Sequence, residues 1–217
     1  MEYKKFIENA KNDRMYEVVE AAADMLLTQP PDSIKMTDLA DRCEMGVASL
    51  YRYFGTKSVI VIKAGAALWG RVKALFDGVF ECDYYKEKNG LGQLTELMKV
   101  FKVLFISHKD FLRFVDSFDR FVFANDIGHE QLAEYETSVL DFYSLFESAY
   151  LRGCEDGSVR KDIDFRVMYL SVTHALMLMS EKFSQGGIFE NEAQNAEREL
   201  DFLIDMAISH ISGRDMA

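Results

Sequence analysis

The sequence is poor in proline. Only Pro30 and Pro31 occur among 217 residues, and they are adjacent. Proline removes a backbone donor and breaks helix interiors, so a chain with one such point is open to helix nearly throughout. Cysteine is equally thin. Cys43, Cys82 and Cys154 are odd in number and scattered, with no CxxC spacing, which argues against a disulfide framework or a zinc site and for a reducing cytosol. His108, His129, His174 and His210 stand far apart, and no HExxH, ExxH or GxxxxGK[ST] pattern occurs. Catalysis therefore finds little support, and no metal or cofactor is expected. Long apolar runs are missing too. The longest near-apolar run, 169–179, is interrupted by Ser171, Thr173 and His174, far short of the roughly 20 residues of a membrane span. The polar start MEYKKFIENAKNDR has no apolar h-region and does not read as a signal peptide. A cytoplasmic protein of one large domain or two small ones is expected.

What is present is an uneven charge. The net charge is -11, with 36 Asp+Glu against 25 Lys+Arg. Residues 1–75 hold 11 Lys+Arg and 10 Asp+Glu, and the remainder holds 14 and 26. The first part is thus net +1 and the second net -12, an asymmetry that suggests different partners for the two. No carboxylate occurs between Met45 and Phe76, whereas Arg52, Lys57, Lys63, Arg71 and Lys73 do.

Apolar spacing reads as helix along the chain. A first helix is expected over about 13–27, with Val18, Ala22 and Met25/Leu26 as its stripe, Asn12 or Asp13 as its cap, and Pro30-Pro31 beyond its end. Two short helices follow at about 36–43 and 47–53, broken by Glu44-Met45-Gly46. Neither is stable alone, because helix nucleation is costly, so both must lean on their neighbours. Thr56 is placed to cap a longer helix from Lys57 towards Phe76 or Phe80, and 81–92 reads as a linker. Stripes through 94–105 and 111–122 come next, separated by SHKD at 107–110. After a turn at 125–128, a single long helix is expected from 132 to about 152, with Gly153 and Gly157 at a frayed end. Residues 165–183 are apolar on nearly every side, and 196–211 carry a clean stripe. The fold class is therefore all-α: an N-terminal three-helix helix-turn-helix domain (1–56), a connecting helix (57–80) and a larger helical domain (81–217). A broad apolar helix beside an amphipathic one suits a four-helix interface between two copies.

MTDLADRCEMGVASLYRYFGTK, residues 36–57, has the geometry of a helix-turn-helix, whose second helix lies in the DNA major groove with its N-terminal residues at base edges. On this reading Val47, Ala48 and Ser49 face bases. Tyr51, Arg52, Tyr53 and Lys57 offer donors to phosphate oxygens, which set register more than sequence. Leu50 and Phe54 are core residues. The missing carboxylates then have a reason, since each would face a polyanion.

These residues carry a resemblance. RMYEVVEAAADMLL (14–27), Leu39-Ala40 and SLYRYFGTK (49–57) look like the N-terminal DNA-binding domain of the TetR (tetracycline repressor) family of bacterial transcriptional regulators, whose signature core reads approximately LYxxFxxK. The likeness covers about a quarter of the chain. GSVRKDID (157–164) before a broad apolar helix resembles the family less specifically. The resemblance implies that Thr37, Val47, Ala48, Ser49, Tyr51, Tyr53 and Lys57 touch DNA. It also implies an all-helical homodimer joined through the last two helices, with a C-terminal domain that binds a small ligand. Most members are repressors released by that ligand. The chain departs from the pattern at Glu44, where the family usually has the turn glycine, so Gly46 is expected to share the turn. It departs again at Ser58-Val59, where acidic residues are common.

Phe101, Phe105, Phe118, Phe121, Tyr143, Phe146, His174 and Met177 are candidates to line the ligand pocket, with plain core packing as the competing reading of each. The excess acid of this half favours a neutral or cationic ligand. A helical enzyme or ligand carrier without DNA function, and an adaptor using the helix-turn-helix for protein contacts, are the alternatives.

Overall fold

The computed structural model describes residues 2–140, 142–186 and 192–213. Among them the chain is helical, and one isolated antiparallel bridge, Val159 to Ser212, is the extent of its β pairing. No described helix is long and apolar enough to cross a membrane. The helices are α1 (Glu2–Leu26), α2 (Met36–Arg42), α3 (Val47–Phe54), α4 (Lys57–Glu81), α5 (Asp83–Lys86), α6 (Gly90–Ser107), α7 (Lys109–Ala124), α8 (His129–Leu140), α9 (Tyr143–Asp156), α10 (Phe165–Ser184) and α11 (Glu192–Ile211). A single 3-10 turn, Pro31–Ser33, starts at the second proline.

The chain forms two compact units, one of Met1–Lys73 with Phe114–Val139, the other of Ala74–Arg113 with Leu140–Ala217. In the first, α1 runs about a dozen residues further towards the N-terminus than the cap at Asn12 or Asp13 implies. Among its described side chains the buried stripe nevertheless starts at Val18 and continues through Ala22, Met25 and Leu26, as the spacing predicts. Leu39 and Ala40 of α2 and Leu50 and Phe54 of α3 close this small core. Thr56 caps α4, its Oγ1 accepting from the Val59 N–H at 3.3 Å.

In the second unit α6 packs against α9, α10 and α11. The expected linker at 81–92 is largely ordered: α5 buries Tyr85, and Asn89 caps α6 by accepting from the Gly92 N–H at 2.9 Å. The long helix expected from 132 to 152 is two helices, α8 and α9; residue 141 between them lies outside the described residues. The apolar residues on either side answer to different cores. Tyr135 stacks on Phe118 in the first unit, while Phe146 and Tyr150 meet Tyr169 and Phe165 in the second. Tyr150 also donates its hydroxyl to the Ile163 carbonyl at 2.9 Å, and burial above all pushes that phenol up to about 12. Gly153 does not sit at a frayed end but inside α9, buried against α6; Gly157, with φ 78, is the left-handed cap that ends the helix.

Helix α10 is not covered all round within one chain. Met168, Tyr169, Leu176 and Phe183 are buried, but Val167 and Leu178 are 60% and 64% exposed. On α11, Ala196, Leu200, Ile204 and Ile211 are buried, as the stripe predicts, while Phe202 and Met206 face outward.

Candidate nucleic-acid interface

The turn between α2 and α3 is set by where the last helical carbonyls of α2 find partners. The Met45 N–H donates to the Ala40 carbonyl at 2.9 Å and the Glu44 N–H to the Asp41 carbonyl at 3.1 Å. This pair of bonds is a Schellman closure, which places its left-handed residue at position 44. Glu44 accordingly has φ 51. Gly46, expected to share the turn, has φ -79 and ψ 141 and is an ordinary extended N-cap of α3. A residue other than glycine in the left-handed conformation of position 44 costs about 1 kcal/mol. Glu44→Gly is therefore expected to raise stability by up to about 1 kcal/mol, less the extra backbone freedom it gives the unfolded chain. Urea titration of the two proteins checks this.

The far end of α3 has a matching demand. Gly55 has φ 75 and ψ -55, its N–H donates to the Tyr51 carbonyl at 2.8 Å, and Thr56 turns back to the Phe54 carbonyl at 2.9 Å. Glycine is required at 55, because that tight reversal is strained for any residue with a Cβ.

Between these turns α3 has two distinct faces. Leu50 and Phe54 point into the core. Ala48, Tyr51 and Arg52 are exposed and, at i, i+3 and i+4, share one face. Val47, Ser49 and Tyr53 flank it half-buried, and the Arg52 guanidinium lies 5.1 Å from the centre of the Tyr53 ring. Thr37 is exposed on α2 and donates to the Asp38 carboxylate at 3.1 Å. Lys57 is half-buried. Its Nζ donates to the Asp32 carbonyl at 3.0 Å, which ties the start of α4 to the turn after α1. Burial pushes this ammonium below its ordinary range, and the Asp32 charge offsets that in part.

The basic island is smaller in space than in sequence. Lys63 pairs with Glu134 at 2.5 Å, and Arg71 reaches Glu20 at 2.5 Å and Asp24 at 2.9 Å. The other oxygen of Asp24 takes Arg42 of α2 at 3.2 Å. These cations fasten α1, α2, α4 and α8 together. The carboxylates of Lys63 and Arg71 lie 47 to 71 residues away and that of Arg42 lies 18 away, all beyond the reach of local pattern. Of the island's cations, Arg52 lies on the outward face of α3, and Lys57 opens α4 three residues after α3 ends. Lys35, exposed at the N-cap of α2, is a further cation of this unit, outside the DNA contacts that the family resemblance implies.

The candidate pocket residues divide between the two units. Phe118 and Phe121 are buried in the first, and the other six belong to the second. There Phe105 meets Phe183 edge-on at 5.9 Å, Tyr143 and Phe146 pack on Tyr169, and Phe101 and Met177 are half-buried. His174 is exposed on α10, so it is not an enclosed core histidine.

Residues 18–64 match the family described as bacterial regulatory proteins, tetR family. Among solved structures, the ketosteroid transcriptional regulator KstR2 of Mycobacterium tuberculosis is similar at 16% identity and TM-score 0.60, over 92% of this chain and 95% of its own. A transcriptional regulator FadR from Bacillus subtilis, in complex with stearoyl-CoA, is similar at 12% identity and TM-score 0.62, over 90% of this chain and 98% of its own. AibR, in complex with isovaleryl coenzyme A and operator DNA, is similar at 16% identity and TM-score 0.55, over 88% of this chain and 98% of its own. At these identities the shared property is the fold. No curated protein matches the sequence.

Proposed function

We propose, from the premise that this chain is a member of the tetR family of bacterial regulatory proteins, that it is a ligand-responsive repressor. On this reading it binds a near-palindromic operator as a homodimer and is released by a small molecule. The observation that carries the reading is the helix-turn-helix itself: the family match at 18–64 falls on an α3 whose Ala48, Tyr51 and Arg52 face outward over a closed small core. Val47, Ala48 and Ser49 read bases. Thr37, Tyr51, Arg52, Tyr53 and Lys57 hold phosphates. Two copies join through α10 and α11, whose exposed Val167, Leu178, Phe202 and Met206 would otherwise stay in water. The two reading helices then address half-sites about 34 Å apart.

Release requires that the effector bind one conformation better than the other, since a ligand of equal affinity for both shifts nothing. Two structural neighbours hold acyl-coenzyme A thioesters and a third is a ketosteroid regulator. The net charge of -12 on residues 76–217 favours neutral or cationic ligands. The effector panel therefore spans acyl-coenzyme A thioesters, ketosteroids and small cations.

The deciding experiment is selection of bound fragments from genomic DNA at several salt concentrations, with and without that panel. Enrichment of a near-palindromic site with salt-dependent affinity supports the reading; no enriched site and no salt dependence rejects it. With the site in hand, Lys57→Ala is expected to weaken binding across sequences and flatten the salt slope by about one unit. Ser49→Ala is expected to change preference at one or two base pairs instead. Affinity titrations of both variants against operator mutants check the division, and identical behaviour refutes it.

A further inference from the structure

The unit that carries α1–α3 also contains most of α4, α7 from Phe114 onward, and α8. Within it, α4 presents a notch to the other two helices at Gly65. A Cβ placed there would lie 3.1 Å from Phe114 Cζ and 3.1 Å from Tyr135 Cε2, tighter than ordinary contact. Gly65 sits inside a regular helix with no positive φ, so backbone conformation does not call for glycine. Glycine there costs about 1 kcal/mol relative to alanine. What its missing side chain provides is room for two rings.

Those rings are held. Tyr135 is buried and stacks on Phe118 with centroids 4.2 Å apart, and Phe118 tilts against Phe114 at 5.5 Å. Beside the notch, Lys63 of α4 pairs with Glu134 of α8. Further along the same helix, Arg71 grips Glu20 and Asp24 of α1, and Asp24 also takes Arg42 of α2. From Gly65 to Arg71 is about 9 Å of rigid helix at 1.5 Å per residue. One element therefore joins the α8 ring to the helices that support α3.

We infer that Tyr135, seated on Gly65, is a positioning residue for DNA reading. It sets the rotation of α4 beneath the helix-turn-helix, and displacement of its ring is the input through which a change in α7 and α8 reaches α3. This inference rests on the regulator reading above. Packed rings on a backbone do not deform continuously, so a small displacement of the ring moves α4 as a body.

The test is a mutant cycle on the full chain with the operator fragment selected by the wild type. Gly65→Ala gains helix propensity and crowds the ring, so its thermal midpoint stays close to wild type. Its operator affinity is expected to fall between about threefold and about thirtyfold. Tyr135→Leu opens space on the other side of the contact and is expected to lower affinity as well. The double variant Gly65→Ala/Tyr135→Leu refills the contact and is expected to bind more tightly than either single one. A merely structural contact would move the midpoints and leave the affinity of the folded protein unchanged. Single variants that fold and bind as wild type, or effects that simply add, overturn the inference while the regulator reading stands. A wild type that selects no DNA overturns both.

Discussion

Gly90→Ala is expected to destabilise the second unit by about 3 kcal/mol, at the upper end of overpacking costs, and to lower the thermal midpoint of the 217-residue chain by roughly 6–12 °C. A Cβ at Gly90 would stand 2.0 Å from the Gly153 nitrogen, 2.2 Å from its Cα and 2.5 Å from the Ala149 carbonyl oxygen. All three are backbone atoms of α9, so no rotamer change relieves the clash, and α6 must move off α9. That movement breaks two further bonds. The Gly90 N–H donates to Asp156 Oδ2 at 2.8 Å and the Leu91 N–H to Ser158 Oγ at 3.1 Å. Hydrogen bonds from Ser158 first, and then from the Gly90 N–H, hold the Asp156 carboxyl below the usual carboxylate range. Gly153→Ala is the informative contrast. Its Cβ would meet the Val159 side chain at 2.4 and 2.8 Å, with the Gly90 backbone no closer than 3.4 Å. Trimming Val159 to alanine is therefore expected to rescue Gly153→Ala in part, and to do nothing for Gly90→Ala. Thermal unfolding of wild type and of both glycine variants, each with and without Val159→Ala, decides it. A Gly90→Ala midpoint within about 2 °C of wild type, the shift of less than 1 kcal/mol, would show that the helices separate freely.

The same glycines mark the boundary of what sequence reading reaches. Both were visible, but the 62 positions between them hid their contact, and Gly153 read as a fraying residue. Local features fared differently. The edges of α2 and α3 came within one residue of expectation, because two short helices with few apolar positions leave little choice of face or register. The turn between them was harder. A Schellman closure counts back from the last helical carbonyls, so the left-handed residue falls on Glu44 whether or not a glycine stands two positions later. Helices α8 and α9 answer to different cores, Tyr135 in the first unit and Phe146 and Tyr150 in the second, and a continuous apolar pattern without proline or glycine does not announce that division. Long-range pairing also governs the meaning of the basic island. The stretch between Met45 and Phe76 has no carboxylate of its own, yet Lys63 and Arg71 are matched from α8 and α1. The outward face of α3 escapes this difficulty, since exposure of Ala48, Tyr51 and Arg52 follows from burying Leu50 and Phe54 on one short helix.

That face makes the sharpest test of where DNA is read. Ala48→Glu is expected to abolish operator binding, with a loss of at least about a hundredfold, because like charges brought together at an interface cost several kcal/mol. Position 48 lies in the first turn of α3, is exposed, and has no carboxylate in that turn. A glutamate there complements the positive end of the helix dipole and is expected to add about 0.3–1 kcal/mol of stability. The two effects run in opposite directions, so loss of binding cannot be ascribed to unfolding. Ala48→Ser, similar in size and uncharged, is expected to keep non-specific binding and its salt slope while altering preference near one base pair. The same glutamate would leave binding intact if the helix-turn-helix served only protein contacts, or if the basic residues of α2 and α4 carried DNA without α3. Fluorescence anisotropy with the selected operator, at low and near-physiological salt, separates these outcomes: Ala48→Glu binding within about threefold of wild type, a difference of less than 1 kcal/mol, would remove the outward face of α3 from the DNA interface.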